Sequence, residues 1–165
     1  MKTKLALVTF VAATALSTLA QAADIDWKKV DAALGKSAAV SGDVHRYGLP
    51  RSDLKVTLDG VTIKPALALG GWVAFAPMGG ANAINFQPTG SGKAAITGDF
   101  LVTGDEVNPL IRALRANDIE VTAIHSHMLG EQPRLFFIHF WANDDATKLA
   151  RGIRAALEKT AIAKS

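Results

Sequence analysis

The sequence contains no cysteine. No disulfide can staple the fold, so the chain must rely on its hydrophobic core. Thiolate metal sites are excluded, and any metal ligand has to be His, Asp or Glu. The cysteine that accepts lipid in a lipoprotein is absent too, so no anchor of that kind is expected. A dense Lys/Arg run is also missing, which argues against nucleic acid as a partner. There is no dinucleotide fingerprint, and Gly90-Ser91-Gly92-Lys93 lacks the GxxxxGK[ST] order of a phosphate cradle. Nothing resembles a Ser-His-Asp arrangement on a nucleophile elbow. No repeat or linker divides the chain.

Long apolar runs are scarce outside the first residues. Lys2 and Lys4 form a basic start, Leu5 to Leu19 is apolar apart from small hydroxyls, and Ala20-Gln21-Ala22 is a small-x-small cleavage site. This pattern predicts a secretory signal peptide over residues 1–22. The run is short for a membrane span, and no stop-transfer pattern follows it. The expectation is an exported protein, periplasmic or secreted after cleavage near Ala22, with no stable membrane anchor. The whole sequence carries 18 basic and 15 acidic side chains. Loss of Lys2 and Lys4 brings the mature chain close to neutrality, so the high precursor pI says nothing about partners.

What the sequence does have is histidine in one place. Three of its four histidines fall within the stretch Ile119 to Ala142. His125 and His127 are two apart, and His139 follows after a break that contains Gly130 and Pro133. The surrounding β-branched and aromatic residues have the character of buried strands. The stretch therefore predicts a β-hairpin. With the turn at Leu129 to Pro133, Met128 faces Arg134, His125 faces Phe137 and Ala123 faces His139. Side chains alternate faces along a strand, so all three imidazoles then share one face, with His139 diagonal to His125. A turn one residue longer or shorter would send His139 to the other side. Three neutral imidazoles on one face suit a divalent transition metal, with zinc favoured by abundance and ligand type. The competing interpretation is that the histidines are hydrogen-bonded core or surface residues.

Around this hairpin the chain divides into short elements. Asp24 or Asp26 can cap a helix over Trp27 to Leu34, stopped by Gly35. Val40 to Tyr47 alternates loosely and predicts a strand. Leu54 to Leu58 and Val61 to Ile63 flank Asp59-Gly60, a strong hairpin signal. His45 is expected at the surface. Trp72 to Ala76 predicts a buried strand, and the stretch from Gly79 to Gly92 has loop composition. Ala94 to Thr103 predicts a strand bulged at Gly98. Asp105 can cap a helix over Glu106 to Ala116, with Pro109 tolerated in its first turn. Glu106 suits the positive end of that helix; alternatively it supplies a carboxylate to the histidine site. A last helix is expected over Ala146 to Lys159, capped by Asp144 or Asp145, followed by a fraying tail. The expected class is α+β: one domain over 23–165, a mainly antiparallel sheet with helices on one face, ending strand–helix–strand–strand–helix.

Two resemblances bear on this. GDFLVTGDEVNPLIRAL, IEVTAIHSHMLGEQPRLFFIHFWA, DATKLARGIRAAL and the earlier PRSDLKVTLDGVTIKPALALGGWVAF resemble the LppY/LpqO-like family of secreted bacterial proteins. The resemblance covers nearly the whole mature chain. It implies an exported single-domain protein and carries no established reaction. Separately, His125-x-His127-x3-Glu131 is similar to the first metal motif of cupins, and His139-x3-Asn143 to the end of the second. The two flanking helices and the short gap between the motifs favour α+β over a jelly roll.

The functional expectation is a metal-binding envelope protein using His125, His127 and His139. A metal-dependent hydrolase would take Glu131 or Glu106 as general base. The alternative is a non-catalytic binding module for a small anionic or glycan ligand. In either case the partner is a small molecule or an envelope component.

Overall fold

The computed structural model describes residues 24–63 and 82–164. The signal peptide expected at 1–22 and the strand expected at 72–76 lie outside the described residues. Helix α1 spans Trp27–Leu34. Asp26 caps it by accepting the Lys29 N–H at 3.2 Å, and Gly35 closes it at φ 71°. Strands β1 (Ala39–Ser41) and β2 (Val44–Leu49) follow, then β3 (Val56–Leu58) and β4 (Val61–Ile63). Asp59 and Gly60 join β3 to β4 with φ of 50° and 77°. A two-residue turn that matches strand twist needs positive φ at both positions, which is why the Asp-Gly pair sits there.

The remaining elements are β5 (Asn82–Gly90), β6 (Lys93–Thr103), α2 (Gly104–Arg115), β7 (Glu120–His125), β8 (Leu135–Asp145), α3 (Ala146–Leu157) and a 3-10 turn, Ala161–Lys164. Six strands form one sheet in the order β1-β2-β5-β6-β8-β7, and β3 and β4 form a separate pair. Every neighbouring pair is antiparallel. The chain is a single α+β domain, as its pattern predicts.

Two expectations fail within the sheet. The stretch before Gly92 has loop composition, yet residues 82–90 form a strand between β2 and β6. Ile84 and Phe86 are its only large apolar residues. Both are fully buried, and pairing on both sides decides the matter over propensity. Nor is there a bulge at Gly98: β6 pairs with β8 over eleven consecutive residues without a shift. Gly98 answers a different need. A β-carbon there would lie 1.9 Å from the Ala83 carbonyl oxygen and 3.1 Å from the Phe140 ring. The bare α-carbon lets β5 and that ring close in.

The strand period of two sorts the sheet into two faces. Even-numbered residues of β6 and β8 (Ile96, Phe100, Val102, Ile138, Phe140) face the helices α1, α2 and α3 and make the main core with Leu34, Leu114 and Ile153. The Phe100 and Phe140 rings lie 5.2 Å apart. Burial of each is worth about 1.5–3 kcal/mol. Odd-numbered residues face the other way. There the β3–β4 pair covers one end, where Val56 and Ile63 form a second small core with Leu101, Leu135 and Phe137.

His45 belongs to the helix side, stacked on Trp27 with centroids 3.4 Å apart, so it is half-buried and not a surface group. The tail does not fray before residue 164. Ile162 is buried, and the Ala161 N–H donates to Glu106 at 2.8 Å.

Gly98→Ala is expected to lower stability by about 3 kcal/mol or more, because the colliding atom is backbone and has nowhere to move. Thermal unfolding followed by circular dichroism measures it, with Gly48→Ala, where a β-carbon meets nothing within 4 Å, as the mild control.

Candidate functional site

The histidine hairpin forms in the expected register. Ala123 pairs with His139 and His125 with Phe137. One irregularity, between Val121 and Ala123, leaves these pairs untouched. His125 and His139 therefore lie on the face away from the helices, and His127, just past the end of β7, joins them by stacking on Phe137 with centroids 3.7 Å apart. The His125 and His139 rings stack at 5.0 Å and 5°. Nε2 of His125 and Nε2 of His127 are 3.2 Å apart.

The turn that carries His127 is held by its own polar groups. The Ser126 hydroxyl donates to the Leu135 carbonyl at 2.7 Å. Arg134 donates to the Met128 carbonyl at 2.6 Å. Gln132 exchanges two backbone hydrogen bonds of 2.9 Å with Thr57, which ties the turn to β3.

Glu131 belongs to this scaffold. It is 2% exposed, accepts the Leu135 N–H at 3.2 Å and pairs with Arg134 at 3.3 Å. Glu106 is held equally firmly elsewhere. It accepts from Thr103 N at 2.9 Å, from Ala161 N at 2.8 Å, and from both terminal nitrogens of buried Arg51 at 2.8 and 3.3 Å. Burial alone would raise its pKa, but the Thr103 N–H and Arg51 outweigh that and hold it below its ordinary value. Among the described residues, no hydrogen bond or ion pair joins either glutamate to a histidine. The three histidines come together; the two glutamates do not join them.

One carboxylate that the sequence pattern passed over does. Asp99 on β6 lies directly opposite His139. It is half-buried on the same face, and among the described residues it accepts one long hydrogen bond, 3.3 Å from the Ala83 N–H. Burial pushes its pKa up, while the Ala83 N–H and the fields of His139, Arg46 and His127 pull it back. His127 is shifted down, first by burial and then by His125, with Asp99 opposing. Both effects favour the neutral imidazole, which is the form that binds metals. The signal for Asp99 was its parity on β6, usable only once the β6–β8 register was known.

The donors are close but not aimed together. Among the described residues, no three His, Asp or Glu side chains stand in metal-coordinating position. Two nitrogens are spaced for it, and the third ring is stacked.

Two outcomes follow from this geometry. Glu106→Gln is expected to cost about 3 kcal/mol by leaving Arg51 underpaired. That contribution is complete above the ordinary carboxylate value of 4.5 and disappears as pH falls through the folded value. Urea unfolding at pH 7 and pH 3 checks it: the variant's deficit shrinks at the lower pH. In an NMR titration of metal-free protein, His127 is expected to titrate below 6.5, and Asp99→Asn to lower it further, because a charge that favours imidazolium is gone.

Among the described residues no helix is long and apolar enough to cross a membrane. No curated protein and no solved structure matches the chain. The family described as Domain of Unknown Function (DUF1259) matches it over residues 28–85 and 76–159, a span that takes in α1, the sheet, the histidine hairpin and α3, and the chain belongs to that family.

Proposed function

We propose that this is an exported protein that binds one divalent transition-metal ion, zinc by ligand type, through His125, His127 and His139. The observation that carries the reading is the 3.2 Å separation of the His125 and His127 Nε2 atoms. A tetrahedral zinc with bonds of 2.0–2.1 Å has ligand nitrogens about 3.3–3.4 Å apart. The same spacing serves a hydrogen bond when one ring carries a proton at Nε2. A metal ion can replace that proton and take both nitrogens as ligands. His139 lies against His125, and a turn of its side chain would bring it in as the third donor.

Asp99 is the fourth group of this site. Asp99 takes the place expected for a Glu106 carboxylate or for Glu131 or Glu106 as general base, because both glutamates have their oxygens committed to the scaffold. As a ligand, Asp99 would make a closed site suited to storage, sensing or stability. With water in the fourth place, Asp99 would be the base beside it, and hydrolysis becomes possible. Export is supported by the leader pattern, and membership of the secreted LppY/LpqO-like proteins by the EVNP helix start and the HSHM hairpin.

Elemental analysis of the mature protein, purified without a histidine tag, is expected to find about one equivalent of a transition metal. His125→Ala/His127→Ala loses it with the circular dichroism spectrum kept, and Asp99→Ala weakens affinity about tenfold or more. No metal after incubation with zinc, copper, nickel and iron(II) would sink the reading.

A further inference from the structure

Trp141 is a large apolar ring on an interior strand, yet it is 46% exposed. Its odd-numbered neighbours Leu135 and Phe137 are covered by the β3–β4 pair. Trp141 lies beyond that cover, and among the described residues no aromatic ring stacks on it. The register shows what surrounds it. Thr97 lies opposite on β6 and Glu120 opposite on β7. Asn85 lies beyond Thr97, and Arg46 beyond Asn85. Asn143 is next on the same face of β8.

The chemistry of this row is specific. An exposed indole face is flanked by two amides and a hydroxyl, which both donate and accept hydrogen bonds. Thr89 donates to Asn143 Oδ1 at 2.8 Å, an arrangement that leaves the Asn143 amide N–H₂ out of that bond. Asn85 Nδ2 donates to the Thr97 carbonyl at 3.3 Å, outside its own amide oxygen. The single positive side chain at one end of the row, Arg46, is balanced by Glu120 at the other. A surface of this charge selects no ion. The adjoining rows place the small residues Ala95 and Ala83 beside Thr97 and Asn85. Such a surface is complementary to a ligand with one C–H-rich face and a rim of hydroxyls.

We propose that this face, uncovered among the described residues, binds an uncharged saccharide, with one pyranose ring seated on Trp141 and its hydroxyls bonded to Thr97, Asn85 and Asn143. Two residues of strand separate Trp141 from His139, about 7 Å. A sugar on the indole therefore presents its substituents to the histidines. Binding itself does not require metal; that the saccharide is what the histidine site acts on or senses rests on the metal reading.

Calorimetric titration of the mature, EDTA-treated protein with cellotetraose and with chitotetraose tests this. Saturable binding of at least one is expected, weakened about tenfold or more by Trp141→Ala and largely kept by Trp141→Phe, as stacking on a flat ring requires. Preference between the two probes tells a plain glucan from an acetylated amino sugar. Binding of neither, or binding that Trp141→Ala leaves unchanged, overturns the proposal. Metal content is measured on the same preparations before EDTA treatment and after incubation with zinc, copper, nickel and iron(II). Saccharide binding by wild-type protein that takes up no metal supports the platform and removes the metal reading alone.

Discussion

The eleven-residue ladder between β6 and β8 is the constraint on which the rest of the molecule depends. Because side chains alternate strictly, one choice of register assigns every residue of both strands to a face. It sends Phe100, Ile138 and Phe140 under the helices and sets Asp99 beside His139 on the other side. A slip of a single residue would bury His139 and Asp99 among leucines and phenylalanines and expose that core. The register is thus held by the desolvation of the main core, and the polar cluster takes its geometry from it. Gly98 is part of the same constraint. Its missing side chain lets β5 close on β6, and β5 carries Ala83, whose N–H is a partner of Asp99.

The two faces are finished differently. Among the described residues, three helices close one of them and, on the other, a two-stranded hairpin covers only the end where Leu101, Leu135 and Phe137 stand. The histidines sit at the margin of that cover. His127 rests on Phe137 at the edge of the small core, and both it and His125 remain exposed. This placement is sufficient to lower the His127 pKa through partial burial without sealing the site from solvent. A cluster fully inside either core would pay for desolvation of any bound ion; one far out on the open sheet would titrate like free imidazole. The boundary is where neutral, accessible nitrogen donors can exist at neutral pH.

Local features of the sequence were legible where chemistry is local. Asp26 and Gly35 bound α1, Asp59-Gly60 makes the β3–β4 turn, and Asp145 caps α3 as its spacing predicts. The hairpin register was legible too, because a short turn between two apolar runs leaves few choices. Sites that depend on distant partners were not. β5 has only Ile84 and Phe86 to mark it, and its amides and proline imitate a loop until β2 and β6 pair with it. Glu131 follows the two histidines at ligand-like spacing, yet the turn folds its carboxylate inward to Leu135 and Arg134. Asp99 lies twenty-six positions before His125 in the chain, and no spacing rule links the two.

The separation of roles between carboxylates follows from the number of donors each one meets. Glu106 meets Arg51 and two backbone N–H groups, and Glu131 meets Arg134 and one. Both are spent on holding segments together: Glu106 joins the start of α2, the loop before β3 and the chain after α3, while Glu131 fixes the turn that carries His127. Asp99 meets one long N–H bond and a field of imidazoles. A carboxylate whose oxygens are satisfied by fixed donors has little left for a ligand, and its removal costs stability. One held by burial and register, with weak hydrogen bonding, keeps its lone pairs for something else. That difference, more than sequence proximity to the histidines, makes Asp99 the acidic group of this site.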